Sequence, residues 1–330
     1  MVDLALTENL VSDTRGSALR RFGRSDSHFR VMTLAAALLV VLIFIGIMIA
    51  LVNGAWPALH AFGFGFLTTS VWNPVTEKFG AWAAIYGTVV SSFLAMLIAV
   101  PLGIGVAIFL TELCPRSLRR PVGIAIELLA GIPSIIYGIW GLFIFAPFFQ
   151  TNVQPWLIEA FANVPILQDL FAGPPYGIGM FTAALILSIM ILPFISAVTR
   201  DVFETVPAIL KEAAYGLGCT TWEVMWRIVL PFARPGVVGG AMLALGRALG
   251  ETMAVTFVIG NAHHINASLF APATTISATI ANEFTEALGD LYVSSLFAIG
   301  LVLFGITFIV LAVAQIMLKS LERRAGGKSA

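Results

Sequence analysis

Charge is what this sequence has least of: 18 acidic and 18 basic side chains in 330 residues, 11% in all, beside 59% hydrophobic residues. With a mean hydropathy of +0.96, that scarcity excludes an ordinary soluble domain and leaves an integral membrane protein. The two signs cancel, so the chain offers no basic surface for nucleic acid. Cysteine is as scarce. Cys114 and Cys219 make no disulfide framework, and two thiols alone make no metal site. His263 and His264 are adjacent, do not share a helix face and lack companion ligands at a usable spacing, so no metal is expected there. A phosphate-binding glycine loop is also missing, because Glu322 stands five residues before Gly327-Lys328-Ser329 where such a loop has its first glycine. The chain is therefore not expected to be an enzyme or to carry a cofactor, and any ATP hydrolysis must be supplied in trans.

What is present is apolar length. A hydrocarbon core about 30 Å thick needs roughly 20 helical residues. Six stretches meet that, read as 31–52, 81–111, 122–149, 176–199, 236–260 and 293–318. Polar or proline-rich breaks separate each pair. Sixteen of the 18 lysines and arginines fall before the first stretch, between the second and third, between the fourth and fifth, or after the sixth; the exceptions are Lys78 and Arg247. The positive-inside rule then predicts that both termini and the 200–235 segment are cytoplasmic. The expected organisation is a cytoplasmic tail over 1–30, a first span over 31–52, a core over 81–318 that includes the 200–235 loop, and a second tail over 319–330. The arginines of the first tail, Arg15, Arg20, Arg21, Arg24 and Arg30, suit anionic lipid headgroups.

Outside the spans, Trp56, Phe62, Phe64, Phe66 and Trp72 suit an interface with lipid or an extracytoplasmic partner. Gly and Pro in the second and third spans, among them Pro101, Gly103, Gly131 and Pro133, imply close helix contact or bends. Glu127 is expected near the headgroups with Arg119 and Arg120, or lining a pathway. A short surface helix between Thr274 and Leu288 is expected to expose Glu283 and Glu286.

The 200–235 loop reads as two short helices joined at a glycine. Pro207 opens the first, Gly218 closes it, and Thr220-Thr-Trp-Glu223 is a capping box for the second, which Pro231 and Pro235 are expected to end. Glu212-Ala213-Ala214, then Gly218, then Ile228-Val-Leu-Pro231 resembles the signature loop of ABC importer permeases. That resemblance implies a coupling helix that docks on a separate ATPase subunit, with Glu212, Ala213, Ala214 and Gly218 at the contact.

The fifth span carries Arg247, about 16 Å along a helix from Gly236, and Glu251 four residues on. On a wheel of about 100° per residue, Gly236, Gly240, Arg247, Gly250, Glu251 and Ala254 share an arc of about 100°, opposite Val238, Met242, Leu245 and Leu249. A buried arginine needs a partner, and Glu251 is the nearest candidate, either in a static pair or in a transport pathway. Gly246-Arg-Ala-Leu-Gly-Glu-Thr-Met-Ala-Val255, with Glu127-Leu-Leu-Ala-Gly-Ile-Pro-Ser134 and Tyr137-Gly138, is similar to one permease subunit of the bacterial high-affinity phosphate ABC importer. The resemblance implies an all-α protein with six transmembrane helices in the type I ABC importer permease fold, located in the bacterial inner membrane. It also implies a second related permease, ABC ATPase subunits, an extracytoplasmic phosphate-binding protein, and phosphate passage involving Arg247 and Glu251. A permease for sulfate or molybdate, an ion-coupled secondary transporter and a non-transporting scaffold are the competing readings.

Overall fold

The computed structural model describes residues 2–326, with side chains described for 29–320. Arg15, Arg20, Arg21 and Arg24 of the first tail and Gly327-Lys328-Ser329 fall outside the described side chains. Among the described residues there is no β-strand, and six helical stretches are long and apolar enough to cross a membrane: Phe29–Phe62, Trp82–Leu113, Ser134–Phe161, Met180–Glu204, Thr221–Leu249 and Asp290–Ser320.

The chain divides into two compact units, residues 1–53 and 54–330. The first is helical within α1 (Val2–Phe62), and Leu39, Val40 and Leu42 leave it with an exposed apolar surface suited to hydrocarbon. The second unit is built around α2 (Trp82–Ile108) packed along α5 (Met180–Glu204). Close approach is possible because α2 turns a stripe of small residues inward: Gly87, Ser91, Ala95, Ala99 and Gly103 are all buried. A Cβ on Gly103 would lie 2.7 Å from Ile195 Cγ2, so the α2–α5 contact depends on its absence. Ile186, Leu187, Ile191 and Ile195 of α5 fill the largest apolar cluster, together with Ala244, Ala248, Ala254 and Val258.

The third span departs from the expected 122–149. Helix α3 (Arg116–Ala130) is a separate amphipathic helix, and the span restarts at α4 (Ser134–Trp140) and runs through two π-turns to Phe161. Pro133 causes the break: it has no N–H to continue the ladder and holds Ile132 away from helical backbone. Proline acts differently near Pro231. The second helix of the loop, α7 (Thr221–Val224), does not end at Pro231 or Pro235 but continues through a π-turn, Met225–Val229, into α8 (Leu230–Leu249). The wider turn immediately before Pro231 accommodates the missing N–H without stopping the helix.

The fifth span is broken as well. Helix α8 ends at Leu249, Gly250 caps it, and a second short helix, α9 (Met253–Val258), begins after Thr252. Downstream, α10 (Ile276–Glu283) precedes the last span in α11 (Asp290–Gly326).

Candidate functional site

Two broken helices meet in the middle of the bundle. Helix α4, just after the Gly131-Ile132-Pro133 break, packs on α9, just after the Gly250-Glu251-Thr252 break. Gly138 permits this contact, since a Cβ there would lie 3.0 Å from the Met253 carbonyl oxygen and 3.1 Å from Ala254 Cα. Each break finds partners for part of its exposed backbone. The Tyr137 hydroxyl donates to the Leu129 carbonyl in the last turn of α3 at 2.8 Å. At the other break the Thr252 hydroxyl donates to the Gly250 carbonyl at 3.4 Å, and Glu251 Oε1 accepts from the Ala254 N–H at 3.4 Å. Non-helical backbone at membrane depth is tolerated where protein or a polar path covers it.

Arg247 sits in the last turn of α8, on an exposed strip with Leu243 and Gly250. It lies within electrostatic reach of Tyr137 across the junction of the two breaks. The expected pairing with Glu251 does not form: the helix ends between them, and the described ion pairs do not include Arg247–Glu251. Gly236 and Gly240 share a face, as the wheel has them, and press against Val202 and Val198 of α5; Gly246, which is not on that arc, lies on another and faces Leu311 of α11. Arg247 therefore borders the packed face and looks onto a surface that this chain leaves open.

The 200–235 loop forms the second part of the candidate site. Helix α6 (Ala208–Gly216) starts after Pro207 and is closed by Gly218, whose φ of +87° favours glycine. The capping box is present: Glu223 Oε2 accepts from the Thr220 N–H at 3.0 Å, and Thr220 Oγ1 accepts from the Glu223 N–H at 3.4 Å. Glu212, Ala213 and Gly218 are exposed, but Ala214 is buried in a cluster with Phe203, Val224, Met225 and Val229. Ala214 thus anchors α6 to its own chain. The exposed side instead carries Ile209, Leu217 and Trp222, at 71%, 86% and 66% exposure. The motifs of the loop assign none of the three to a contact surface. Their signal was large apolar side chains in a segment too polar to lie in lipid.

Glu127 pairs with Arg200 at 2.7 Å rather than with Arg119 or Arg120. Glu283, expected on an exposed helix face, is instead half-enclosed: its carboxylate accepts from Trp72 Nε1 at 2.5 Å and from the Tyr292 hydroxyl at 2.8 Å, and His263 Nε2 lies 2.8 Å away. The Trp72 and His263 rings stack with centroids 5.4 Å apart. His263 is thus part of a loop clasp.

Residues 99–326, most of the chain and both breaks, match the family model described as binding-protein-dependent transport system inner membrane component. The chain belongs to this family. Among its curated relatives, a protein named phosphate transport system permease protein PstC from Mesorhizobium japonicum is 67% identical over 316 residues, covering 96% of this chain and 97% of the relative. A protein of the same name from Pasteurella multocida is 59% identical, covering 91% and 93%. A probable phosphate transport system permease protein PstC from Methanocaldococcus jannaschii is 37% identical, covering 88% and 93%. A chain of a bacterial alginate ABC transporter, solved with an alginate-bound periplasmic protein, superposes with a TM-score of 0.58 at 21% identity over 87% of this chain and 94% of its own. The fold of this inner membrane component is accordingly that of type I ABC importer permeases. It is a multi-pass membrane protein.

Proposed function

We propose that the chain is the phosphate-conducting permease subunit of an ATP-driven importer in the bacterial inner membrane. The observation that carries this reading is Arg247, a guanidinium without an ion pair at the meeting point of two helix breaks, on the face that the chain leaves open. A cation at membrane depth is unfavourable by roughly 2.5 to 3.5 kcal/mol on insertion scales, so its persistence calls for an anion, water or a polar partner opposite it. A second related permease covering the open face would complete a path in which Arg247 meets the anion and Glu251 shapes the α9 break beside it. The phosphate transport names of the full-length relatives select phosphate among tetrahedral anions.

In this reading the exposed side of α6, with Glu212, Ala213, Ile209 and Leu217, docks on an ABC ATPase subunit, and Gly218 sets the turn that presents it. A phosphate-loaded binding protein delivers the ion from the opposite, extracytoplasmic side. With the 200–235 loop cytoplasmic, the same lysine and arginine placement assigns the 1–30 and 319–330 tails to that side. ATP binding draws the two ATPases together, α6 moves with them, and the cluster around Ala214 passes the displacement to α5 and α8.

The test is reconstitution of the full complex in vesicles. Uptake of labelled phosphate driven by internal ATP, with no uptake of sulfate, is the expected result. Arg247→Gln should reduce phosphate uptake at least about tenfold in an intact complex; normal uptake would remove Arg247 from the pathway. Equal stimulation of the ATPase by phosphate-loaded and sulfate-loaded binding proteins would overturn the phosphate assignment.

A further inference from the structure

A second concentration of positive charge lies away from Arg247. Helix α3 and the carboxy-terminal end of α5 flank an open cavity of about 330 Å³ lined by Arg116, Arg119, Arg120, Ile124, Glu127, Arg200 and Glu204. We propose that this cavity binds a phosphate group, carried by an anionic lipid headgroup or by a free phosphate ion, and that Arg116, Arg119 and Arg120 are its ligands. The proposal does not require phosphate to be the transported ion.

The first support is the pairing pattern. Both carboxylates on the cavity wall face Arg200: Glu127 lies 2.7 Å away and Glu204 4.0 Å away, while Asp201 takes a further N–H of Arg200 at 3.0 Å. Arg116, Arg119 and Arg120 have no ion pair among the described residues. Arg119 gives one N–H to the Thr111 carbonyl at 2.5 Å, but its Nε is buried with no hydrogen-bond partner. That Nε is closed to solvent and so to an ion in the cavity; what faces an incoming anion is the terminal N–H groups of the three arginines, and a phosphate oxygen is the acceptor to which the guanidinium fork is best matched.

The second support is the position of these charges on their own helix. Arg116, Arg119 and Arg120 occupy the first turns of α3, and no acidic residue accompanies them there. A helix amino terminus carries about half a positive charge, so three cations in that place repel it as well as one another. An anion in the cavity would relieve both repulsions at once.

The surroundings fit the membrane boundary. Leu118 and Leu128 of α3 are exposed near the arginines, the pattern of a helix lying at an interface with its apolar side in lipid. The topology read from lysine and arginine placement puts this end of the bundle at the cytoplasmic leaflet, where anionic headgroups and newly released phosphate are both at hand.

The decisive comparison uses the full-length chain purified in detergent and as Arg116→Gln/Arg120→Gln and single Arg120→Gln, with Arg227→Gln as the control, matched in charge to the single variant, for loss of a positive charge elsewhere. Arg119 is kept because it also holds Thr111, and native melting temperature checks each variant; single Arg120→Gln serves if the double variant does not fold. Native mass spectrometry measures retention of phosphatidylglycerol against phosphatidylcholine, and titration calorimetry on delipidated chain measures inorganic phosphate. Selective phosphatidylglycerol retention, weakened on the order of tenfold to thirtyfold by the double variant and undisturbed by millimolar phosphate, identifies a headgroup site. Phosphate binding that displaces the lipid and is lost in the variant identifies a free-ion site. Unchanged binding of both in a folded variant, or an equal loss in Arg227→Gln, overturns the proposal.

Discussion

Lys211 and Glu112 lie 99 residues apart in the chain and 2.6 Å apart in space, with 19% and 14% of their side chains exposed. The pair fastens α6 to the π-turn Phe109–Leu113, so α6 is tied to the end of the second span through this pair as well as through Ala214. Lys211→Met should loosen that tie by about 1.5 to 3 kcal/mol, the range for a charged hydrogen bond. In the assembled transporter the expected phenotype is ATP hydrolysis with little uptake, partly restored by the swap Lys211→Glu/Glu112→Lys. Coupled uptake at the wild-type ratio in Lys211→Met would show that the pair transmits nothing.

Arg247 and Glu251 make the opposite case, since their separation by the α8–α9 break predicts independence. Uptake measured for Arg247→Gln, Glu251→Gln and the double variant should give free-energy changes that add to within about 0.5 kcal/mol. A large coupling term would mean that the two side chains pair in some working state of the transporter.

Glycine substitutions should rank by what a methyl group would meet. At Gly87 a Cβ would sit 1.8 Å from the Thr274 carbonyl oxygen; at Gly138 the nearest backbone atom is 3.0 Å away; at Gly105 nothing lies within 4 Å. Gly87→Ala should abolish folding or destabilise most, and Gly138→Ala should cost about 1 to 3 kcal/mol by prising α4 from α9. Gly105→Ala should be neutral or stabilising by up to about 1 kcal/mol through helix propensity. Thermal unfolding of the three variants in one detergent checks the order.

The clasp around Glu283 predicts an acid-sensitive loop. Burial pushes this carboxyl upward, but hydrogen bonds from His263, Tyr292 and Trp72 and the nearby His263 charge outweigh it, so Glu283 is held below the usual carboxylate range. A depressed folded value adds stability that is present above the unfolded carboxylate pKa and is lost as pH falls through the folded one. Wild-type protein should therefore lose Trp72 burial, followed by fluorescence, at the acid end of the titration, and Glu283→Gln should flatten that limb.

The parts of this architecture written in local chemistry could be read from the sequence, and the parts written in tertiary contact could not. Spans two, four and six were legible because each apolar run ends in polar residues. The Thr220–Glu223 capping box was legible because all its partners lie within four residues. The α3–α4 break was hidden because Gly131 and Pro133 are as compatible with a kinked membrane helix as with a stop. The second break was hidden because Gly250-Glu251-Thr252 stands between the apolar runs Ala241–Leu245 and Met253–Ile259 and reads as a polar step within one span, and with it went the loss of the Arg247–Glu251 register. Glu127 chose Arg200 over its sequence neighbours because α3 lies on α5, a packing that hydropathy does not encode.

The outward face of α6 has a consequence for how the cell handles this subunit. Ile209 of α6, Leu217 just past its end and Trp222 of α7 are exposed in the chain alone, and on the proposed docking they stand in water whenever the ATPase is missing. Copies made in excess of that partner then display the kind of sticky surface on which chaperones and quality-control proteases act. Abundance of the permease should follow abundance of its ATPase, with assembly itself setting the lifetime of each copy.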